Sequence, residues 1–546
     1  MTRSSGVVIT AAAVVLGSFT PQSDDGAAVE QIAQGTRPPA ALVESFDGLG
    51  AGFEGPQGTA SLRNPSDNSL AVGPDHIVQT VNSRMAIFTK KGKRFEASGK
   101  PLYGPVNTNN VFKGFGGACE TTNNGDAVVR YDQIADRWLI VMPIFRRDPR
   151  RAERPAPARS GGPAVLSVPG RSGQPGPAAL LVPPADAPQG MSTGSGQGQR
   201  GQPPPAEGPY SMCYGVSVGA DPSGPYYRYE FLRPLFPDYP RPAIWRDGYY
   251  VPTSTGDDVI QKHTCVVDRA RMLKGEPATE QCFVIDNVNF LNNADVDGKT
   301  LPPAGTPNVV LAAGGTQLKD VLEDSAIFAW QMRVDWKNPS KSTLTGPARI
   351  AVAPYRYLCG GQLTNCVPQP GIERRLDAQG DKIMARVVYR NVNSRGSIVA
   401  VHSVNTAAGG GGVRWYELGV DKNGAVSLVQ HGTYAPDGLY RWMASPAIDK
   451  FGNIGVGYSF GGTPHYAGQR FAGRLAGDPP GALTLRETVL VEGEAAQDAM
   501  RWQDYTQTAV DPGDDCTIWY VGDYIKKGAQ SYSTRIGAFR LTDRCQ

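Results

Sequence analysis

Acidic residues recur just ahead of apolar, strand-like segments of this sequence, at places where they can act together. Each of four aspartates stands a few positions before such a segment: Asp67, Asp126, Asp238 and Asp504. Arg441 and Arg501 occupy corresponding places in two segments, and Tyr505 follows Asp504 directly. If these segments line one channel, the side chains meet at its mouth. Carboxylates interspersed with guanidinium groups are suited to binding a cation, a sugar or an anionic ligand.

Paired carboxylates also perform glycoside hydrolysis, where the two groups stand about 5–5.5 or 6.5–9.5 Å apart. A sialidase-like variant needs an arginine cluster, a tyrosine nucleophile with an acidic partner, and a separate acid. The sequence supplies these residue types without a confirming spacing: Tyr440, Tyr505, Arg441, Arg470, Arg474 and Arg501. The competing interpretation is structural, with each aspartate capping its own turn. Binding, catalysis and turn-capping all stay open at this point.

Other chemical signatures are weak. The five histidines form no HExxH motif or close pair, and no GxSxG elbow is present. The acidic run Asp511–Asp515 offers oxygen ligands to calcium, but it lacks the spaced pattern of a calcium loop. We therefore expect no cofactor, with calcium as the one alternative. A net charge of +3 without a basic block among aromatics predicts no nucleic-acid partner.

The elements that would position these side chains form a degenerate repeat. The repeating unit is a short apolar strand, a polar turn and a second strand with aromatic residues, which is typical of a β-hairpin. Five copies are readable: Ser69–Val81, Ala127–Val141, Arg241–Val251, Ser445–Tyr458 and Thr508–Tyr520. We expect two further copies between the third and fourth, one around Asn308–Arg333 and one whose first strand ends near Arg390.

Seven β-rich units at a period of about 63 residues predict an all-β fold, a β-propeller with seven blades. The segment Thr534–Leu541 is expected to be a terminal strand that completes a blade with N-terminal residues. The alternative is a set of β-sandwich domains whose hairpins are similar by chance.

Glycine and proline composition divides the chain further. There are 66 Gly and 45 Pro among 546 residues, about a fifth of the chain. This proportion indicates the many turns of an all-β fold. Residues 148–208 are richer still, and we expect them to be a disordered insertion. Residues 61–546 are assigned to the propeller, and the polar, Gly-rich residues 23–60 are predicted to be a flexible leader.

The N-terminus and the cysteines indicate export. An apolar run follows the single arginine near the start, so residues 1–22 are predicted to be a signal peptide, with no membrane span after its removal. An even number of cysteines in an exported chain indicates disulfides. Sequence proximity favours Cys359–Cys366 and Cys265–Cys282, with Cys516–Cys545 at the C-terminus and Cys119–Cys213 across the insertion, although the connectivity stays open.

Several stretches resemble a family of large exported bacterial proteins that are β-propeller-like and have no assigned activity. The similar stretches are Asn64–Phe88, Gly125–Ile140, Asp221–Phe231, Val387–Asn391, Arg441–Ser459, Arg470–Pro479 and Asp514–Tyr524. The resemblance implies location and fold, and it supplies no catalytic residues. The turns around Asp449–Asn453 and Asp511–Trp519 look like the Asp-containing turns of sialidase propellers, where they are structural.

The leading hypothesis is an exported propeller that acts as a binding or scaffold module of the periplasm, cell surface or medium. A glycan or a cell-surface protein is the expected class of partner. The alternative is a glycoside hydrolase that uses the acidic residues at the channel mouth. Convergent, unpaired carboxylates in an open pocket would favour the alternative, whereas aspartates more than about 12 Å apart, each bonded to its own turn, would exclude it.

Overall fold

The structure is a computed structural model and is built almost entirely of β-strands. It describes residues 28–60, 62, 64–145, 165–169, 171–173, 210–233, 236–254, 262–315, 322, 324–361 and 365–545. The signal peptide predicted for residues 1–22 and most of the insertion predicted for 148–208 lie outside these ranges. Two short α-helices, Ala118–Thr121 and Arg269–Met272, and three 3-10 turns interrupt the strands: Thr108–Phe112, Pro339–Lys341 and Leu358–Gly360.

The strands pair in antiparallel units of four that follow one another along the chain. The first three units are Ser69–Val72, His76–Val81, Arg84–Thr89 and Pro101–Asn107; Val128–Asp132, Arg137–Ile144, Tyr210–Ser217 and Tyr226–Arg233; and Ala243–Ile244, Gly248–Thr253, Lys262–Asp268 and Thr279–Ile285. The fourth and fifth are Asn292–Val296, Asn308–Ala313, Ala326–Arg333 and Thr343–Ala351; and Val387–Val392, Arg395–Asn405, Gly411–Val420 and Val426–Tyr434.

The sixth unit consists of Tyr440–Ile448, Ile454–Gly462, His465–Arg474 and Leu485–Val491. The seventh consists of Gln507–Val510, Ile518–Tyr524, Ser533–Arg540 and the N-terminal strand Ala41–Asp47. Short strands also lie at Glu30–Gln31, Glu54–Gly55, Gly58–Thr59, Asn365–Gln369 and Ile372–Asp377. The five hairpins seen in the sequence are the first and second strands of units one, two, three, six and seven.

The first strands of the units stand side by side and close into a ring. Contacts join the first strands of units three to four, four to five, five to six, six to seven and seven to one, and of units one to two. Between units two and three, Arg130 Nε donates to the carbonyl of Pro242 at 2.9 Å. Radial closure of this kind lets each sheet bury its faces against its neighbours, as in a propeller. The predicted propeller-like, all-β fold is therefore confirmed.

The prediction of seven blades equals the number of four-stranded units. The pairing continues from unit four to unit six as one 13-stranded sheet. Parallel contacts between Ala294–Val296 and Val387–Tyr389, and between Gly411 and Tyr440, join these units. The count of seven depends on dividing the sheet at those two contacts, and it stays a prediction.

The N-terminal segment closes the ring, which corrects the predicted flexible leader at 23–60. Within residues 28–60, Ala41–Asp47 pairs antiparallel with Ser533–Arg540 as the outer strand of unit seven. Phe46 packs on Phe88 of unit one and Trp519 of unit seven, with ring centroids 5.5 and 6.5 Å apart. Burial of an apolar ring of this kind stabilises the ordered segment. The Gly-rich composition of residues 23–60 gave no indication of this contact. The expectation that a C-terminal strand pairs with N-terminal residues is confirmed.

The insertion contains more structure than its composition predicts. Val165–Pro169 pairs with the outer strand of unit three, and Arg171–Gly173 pairs with the outer strand of unit two. An exposed sheet edge offers unpaired backbone groups that any extended segment satisfies. The disorder of the insertion stays a prediction, because the rest of 148–208 lies outside the described chain.

Four disulfides cross-link the described chain, and they are the four pairs that the sequence suggested. They join Cys119 to Cys213, Cys265 to Cys282, Cys359 to Cys366, and Cys516 to Cys545. Disulfides in this number are typical of an oxidising or extracellular compartment. Throughout the described ranges, no helix has the length and apolar character needed to cross a membrane.

The axis of the ring is filled with paired charges on the first strands. Arg386 donates to Asp295 Oδ2 at 2.6 Å and to Asp297 Oδ1 at 2.5 Å. Arg130 of unit two reaches Asp295 Oδ2 at 3.2 Å. The space beside these groups is about 20 Å³, which is room for a single water molecule. The channel is thus narrow at these ion pairs, and a larger cavity is found toward one mouth.

Candidate functional site

A cavity of about 230 Å³ lies at the mouth formed by the loops that precede the first strands. Loops of this kind from units one, two, three, four, five and seven supply ten lining residues: Pro65, Asp67, Asp126, Asp238, Tyr239, Phe290, Gln379, Lys382, Arg501 and Asp504. Asn82 and Ser254, each placed after the second strand of its unit, complete the lining. In six units, residues just before the first strand therefore line the same cavity.

The backbone turns sharply where these side chains enter the cavity. Asp67, Asp126, Gln379 and Asp504 have φ values of 46°, 54°, 45° and 62°. Asn82, in a two-residue turn between strands, has a φ of 46°. Asp and Asn tolerate this left-handed conformation better than other non-glycine residues, because their short polar side chains bond locally. This tolerance explains why the recurrent residue ahead of the strands is so often an aspartate.

Asp67 and Asp126 form a hydrogen-bonded pair of carboxyl groups. Asn82 Nδ2 donates to Asp67 Oδ2 at 2.5 Å, and the Tyr505 hydroxyl donates to Asp126 Oδ2 at 3.0 Å. Burial, followed by the charges of Asp126 and Asp504, raises the pKa of Asp67 well above its usual range. Burial also raises the pKa of Asp126, although the Tyr505 hydrogen bond opposes the shift. Both carboxyl groups therefore favour the protonated form more than a solvent-exposed aspartate does.

Gly125 lets the second loop approach this pair. Its φ is +117°, and a Cβ at this position would lie 2.7 Å from Asn82 Oδ1. Such a contact is too short for any side chain, so glycine is required here. Asn82 is 9% exposed, and its Oδ1 accepts no hydrogen bond within the described residues.

Arg501 organises the opposite wall. Its guanidinium pairs with Asp504, and Nε lies 3.2 Å from Asp377 Oδ2. Burial opposes the charge of Arg501, but the two carboxylates outweigh it and raise the pKa of the guanidinium. Gln379 Nε2 also donates to Asp504 Oδ1 at 3.2 Å. Burial and the charge of Asp504 raise the pKa of Asp377 to about 8. Arg501 is thus held in place by acids of the chain itself.

Aromatic rings and a lysine form the remaining wall. Lys382 Nζ lies 4.1 Å from the centroid of the Phe290 ring and 2.8 Å from Asp381 Oδ1. The Tyr239 ring is 4.2 Å from the Tyr505 ring, and its hydroxyl donates to the Asp504 carbonyl at 2.7 Å. Rigid aromatic faces beside polar groups are suited to the apolar face and the hydroxyls of a sugar.

The structure brings together most of the residues that the sequence singles out. Asp67, Asp126, Asp238, Arg501 and Asp504 line the cavity, and Tyr505 contacts it through Asp126. Asp238 Oδ1 accepts from the backbone N–H of Tyr239 at 3.0 Å, so one aspartate does cap its own turn. Asp126 bonds instead to a residue 379 positions away. Turn-capping alone does not account for the group.

Arg441 is the exception and is not part of the cavity. Its guanidinium is fully buried and pairs with Glu487 at 2.6 Å and Asp437 at 2.8 Å. The prediction placed it by analogy with Arg501, but Arg441 lies within the first strand of unit six, whereas Arg501 lies in a loop before a strand. Its location is structural.

Other candidates from the sequence are engaged elsewhere. Arg470 packs 3.6 Å above the Phe460 ring and pairs with Glu492 at 2.8 Å. In the Asp511–Asp515 run, the Asp511 carboxylate bonds to Lys90 and to Trp519 Nε1. These contacts use the oxygens that a calcium ion would require.

Sequence reasoning missed several lining residues, and for most of them a signal existed. Phe290, Gln379 and Lys382 stand just before the first strands of units four and five, the two copies too degenerate to be aligned. Both copies were expected from the sequence, but the start of the first strand of each was not identified, so the rule that found the aspartates did not reach these residues. Asn82 and Ser254 follow second strands, and no pattern in the sequence marks them.

Comparison with known proteins bears on the fold alone. No known family model and no curated protein matches this sequence. An ulvan lyase of a new polysaccharide lyase family, bound to -[GlcA(1-4)Rha3S]-, matches at 9% identity over 92% of this chain and 94% of that chain, with a TM-score of 0.36. A protein of unknown function from Dyadobacter fermentans DSM 18053 matches at 9% identity over 92% and 100% of the two chains, with a TM-score of 0.33. NanB with Optactamide matches at 10% identity over 77% and 67%, with a TM-score of 0.36.

Proposed function

We propose that this chain is an exported, seven-bladed propeller module that binds a carbohydrate in the cavity ringed by Asp67, Asp126, Asp238 and Asp504. The observation that carries the proposal is the convergence of loops from six units on one cavity of about 230 Å³. Pockets for drug-sized ligands measure about 300–1,000 Å³. A single sugar residue matches the smaller volume.

The lining supplies the groups that carbohydrate recognition needs. A sugar presents many hydroxyls, each of which both donates and accepts, so a dense set of fixed acceptors and donors is required. Carboxylates, two amides and the Ser254 hydroxyl surround the cavity. The Asn82 Oδ1 acceptor lacks a donor within the described chain. Phe290 and Tyr239 add the aromatic faces on which a sugar ring packs.

Export is supported by the four disulfides together with the N-terminal apolar run. The periplasm, the cell surface and the surrounding medium are the compartments in which a glycan-binding module of this kind meets polysaccharide. We therefore place the protein in one of these three.

A glycan array of the purified protein tests the proposal. We expect wild type to bind a defined set of glycans and the Asp67→Asn/Asp504→Asn double variant to lose that binding. Asp498→Asn is the matched control, because Asp498 is 98% exposed and lies outside the lining. Far-UV circular dichroism and thermal unfolding establish that the double variant is folded. Equal binding by the folded double variant and wild type would remove the cavity as the site.

Glycoside hydrolysis is the second candidate function, and one observation favours it. Burial raises the pKa of Asp67 well above its usual range, and Tyr505 donates a hydrogen bond to Asp126, so an acid and a phenol lie together. Burial and the charge of Asp126 also raise the pKa of Tyr505, so this phenol would act as a nucleophile only with Asp126 as its base. Hydrogen-bonded carboxyls are closer than the 5 Å or so between glycosidase carboxyls, so Asp67 and Asp126 would act as one acid. Release of reducing ends from array-positive glycans by wild type, lost in Asp67→Asn and Tyr505→Phe, would establish catalysis. Binding of glycans without release of reducing ends would support a binding module instead of a hydrolase.

A further inference from the structure

We infer that the sugar bound in this cavity carries a protonated amine, as a hexosamine with a free amino group does. The inference rests on the proposed function and specifies its ligand class. It follows from how charge is distributed around the cavity, and from which of those charges the chain already neutralises.

The lining contains more acids than bases. Four carboxyl groups, from Asp67, Asp126, Asp238 and Asp504, face two basic side chains, Arg501 and Lys382. Behind the lining, Asp377 and Asp523 add two further buried acids. Burying carboxylates costs free energy unless a cation or hydrogen bonds compensate them.

Both basic side chains of the lining are committed to acids of their own. Arg501 pairs with Asp504 and Asp377, and Lys382 pairs with Asp381. Within the described residues, Asp67 and Asp126 are left with each other, Asn82 and Tyr505 as partners and with no ion pair. A cationic group of a ligand next to these two carboxyls would supply the missing charge.

A second observation points to a hydrogen-bond donor at the same place. Asn82 Oδ1 is buried, since the residue is 9% exposed, and it accepts no hydrogen bond within the described chain. The amide of the same side chain donates to Asp67. An ammonium group has three donors, so it can satisfy a carboxylate and this carbonyl together.

A bare metal ion fits the cavity less well than an organic cation. Calcium takes about six to eight oxygen ligands at roughly 2.3–2.6 Å. Among the described residues, the groups of three acids or cysteines that lie close enough to share an ion are Cys265, Glu280 and Cys282, and Asp449, Cys516 and Cys545. Both are away from the cavity, and their cysteines are in disulfides. The aromatic wall and the 230 Å³ volume suit a ring instead.

An acidic sugar is disfavoured by the same charges. A uronate or sialate needs a guanidinium free to accept its carboxylate, whereas Arg501 is already occupied. A ligand carboxylate here would stand among like charges, and that arrangement is repulsive. The charges around the cavity therefore favour a sugar with an amine over a sugar with a carboxylate.

Isothermal titration calorimetry at pH 7 tests the inference with methyl glycosides of glucosamine and galactosamine. The comparison sugars are the parent hexoses, the N-acetylated forms and methyl glucuronide. We expect at least one amine form to bind ten-fold or more tightly than its hydroxyl, acetamido and carboxylate counterparts. Equal or tighter binding of a neutral or acidic sugar would overturn the amine inference and leave carbohydrate binding intact. Binding of no sugar by calorimetry and on the array would refute both proposals.

Three further experiments separate the alternatives. Asp67→Asn keeps the shape of the protonated acid, so it should fold, and we expect it to abolish the preference for the amine, whereas Asp498→Asn should keep it.

Calcium chloride is titrated in parallel, and tight calcium binding that blocks the amino sugar in a manner dependent on Asp67 would identify a metal site and overturn the inference. Titration in two buffers of different ionisation heat, at pH 6 where the free amine is already protonated, should show proton release, because an ammonium stabilises the ionised form of the Asp67–Asp126 pair. Proton uptake or no exchange would contradict the inference.

Discussion

The hydroxyl of Tyr505 donates a 3.0 Å hydrogen bond to Asp126 Oδ2, across 379 residues of chain. The two residues precede the first strands of units seven and two, which lie on either side of unit one. Their contact ties three neighbouring units together at the mouth of the ring. It also places a phenol next to the Asp67–Asp126 pair of carboxyl groups.

Removal of that phenol should alter both stability and the site. We expect Tyr505→Phe to lose about 1 kcal/mol of unfolding free energy, the typical net value of one buried hydrogen bond. Because the Tyr505 hydrogen bond lowers the pKa of Asp126, its loss should raise that pKa and weaken binding of an amine. Urea unfolding and calorimetry measure the two effects. Tyr466→Phe, in the outer part of unit six, serves as the control and should change neither.

Stability should fall as the pH rises through the neutral range. Burial raises the pKa of Asp523 to about 8, although hydrogen bonds from Ser66 and Asn68 oppose the shift. The folded state therefore keeps a proton that the unfolded chain loses near pH 4, so unfolding free energy declines from about pH 4 to 8. Each such group contributes at most about 1.4 kcal/mol per pH unit.

Asp523→Asn isolates this contribution, because asparagine keeps an oxygen for Ser66 and cannot ionise. We expect urea unfolding between pH 5 and 8.5 to give a shallower decline for Asp523→Asn than for wild type. The exposed Asp498→Asn control should follow wild type. Identical slopes for all three proteins would mean that Asp523 titrates in the usual acidic range.

Arg441 and Arg501 should respond to substitution in opposite ways. Arg441→Gln removes the nearer cation of the buried Glu487 and leaves it only Arg470 at 3.6 Å, so we expect a loss of up to about 3–5 kcal/mol of unfolding free energy. We expect the protein that remains folded to bind glycans normally, because Arg441 is outside the cavity. Arg501→Gln should impair binding of the array-positive glycans, since Arg501 orders Asp504. Normal binding by folded Arg501→Gln would show that this wall is not used.

The disulfides should contribute unequally to stability. Cys119–Cys213 closes a loop of 94 residues, and Cys359–Cys366 closes a loop of 7. Loop-closure entropy predicts a loss of about 4.6 kcal/mol for the Cys119→Ser/Cys213→Ser variant and about 2.4 kcal/mol for the Cys359→Ser/Cys366→Ser variant. Thermal and urea unfolding rank the two variants. The reverse ranking would show that local strain outweighs the entropy of the unfolded chain.

The sequence predicted the propeller because a hairpin period survives even when the residues diverge. Alternating apolar residues and polar turns marked five first hairpins, and the structure has all five in equivalent places. The N-terminal strand was missed because Ala41–Asp47 lies in a Gly-rich segment. Closure of the last blade by N-terminal residues was expected, but the two strands are almost 500 residues apart, and no local pattern identifies Ala41–Asp47 as the partner.

The candidate site was predictable to the extent that position within the repeat determines it. A residue just before a first strand faces the axis, so Asp67, Asp126, Asp238 and Asp504 were identified without coordinates. The same rule failed for Arg441 because a shift of a few positions moves a side chain from the loop into the buried strand. The contact between Asp67 and Asp126 was beyond prediction, since it depends on angles between units.

Hydrogen–deuterium exchange with a bound glycan tests the central claim most directly, since it locates the ligand without a mutation. With an array-positive sugar present, we predict protection of peptides covering 64–68, 122–127, 236–242, 286–291, 377–386 and 498–506. These are the loops that precede the first strands of units one, two, three, four, five and seven. Protection confined to outer strands such as Thr343–Ala351, with no change in the six loops, would contradict the claim that the channel mouth is the binding site.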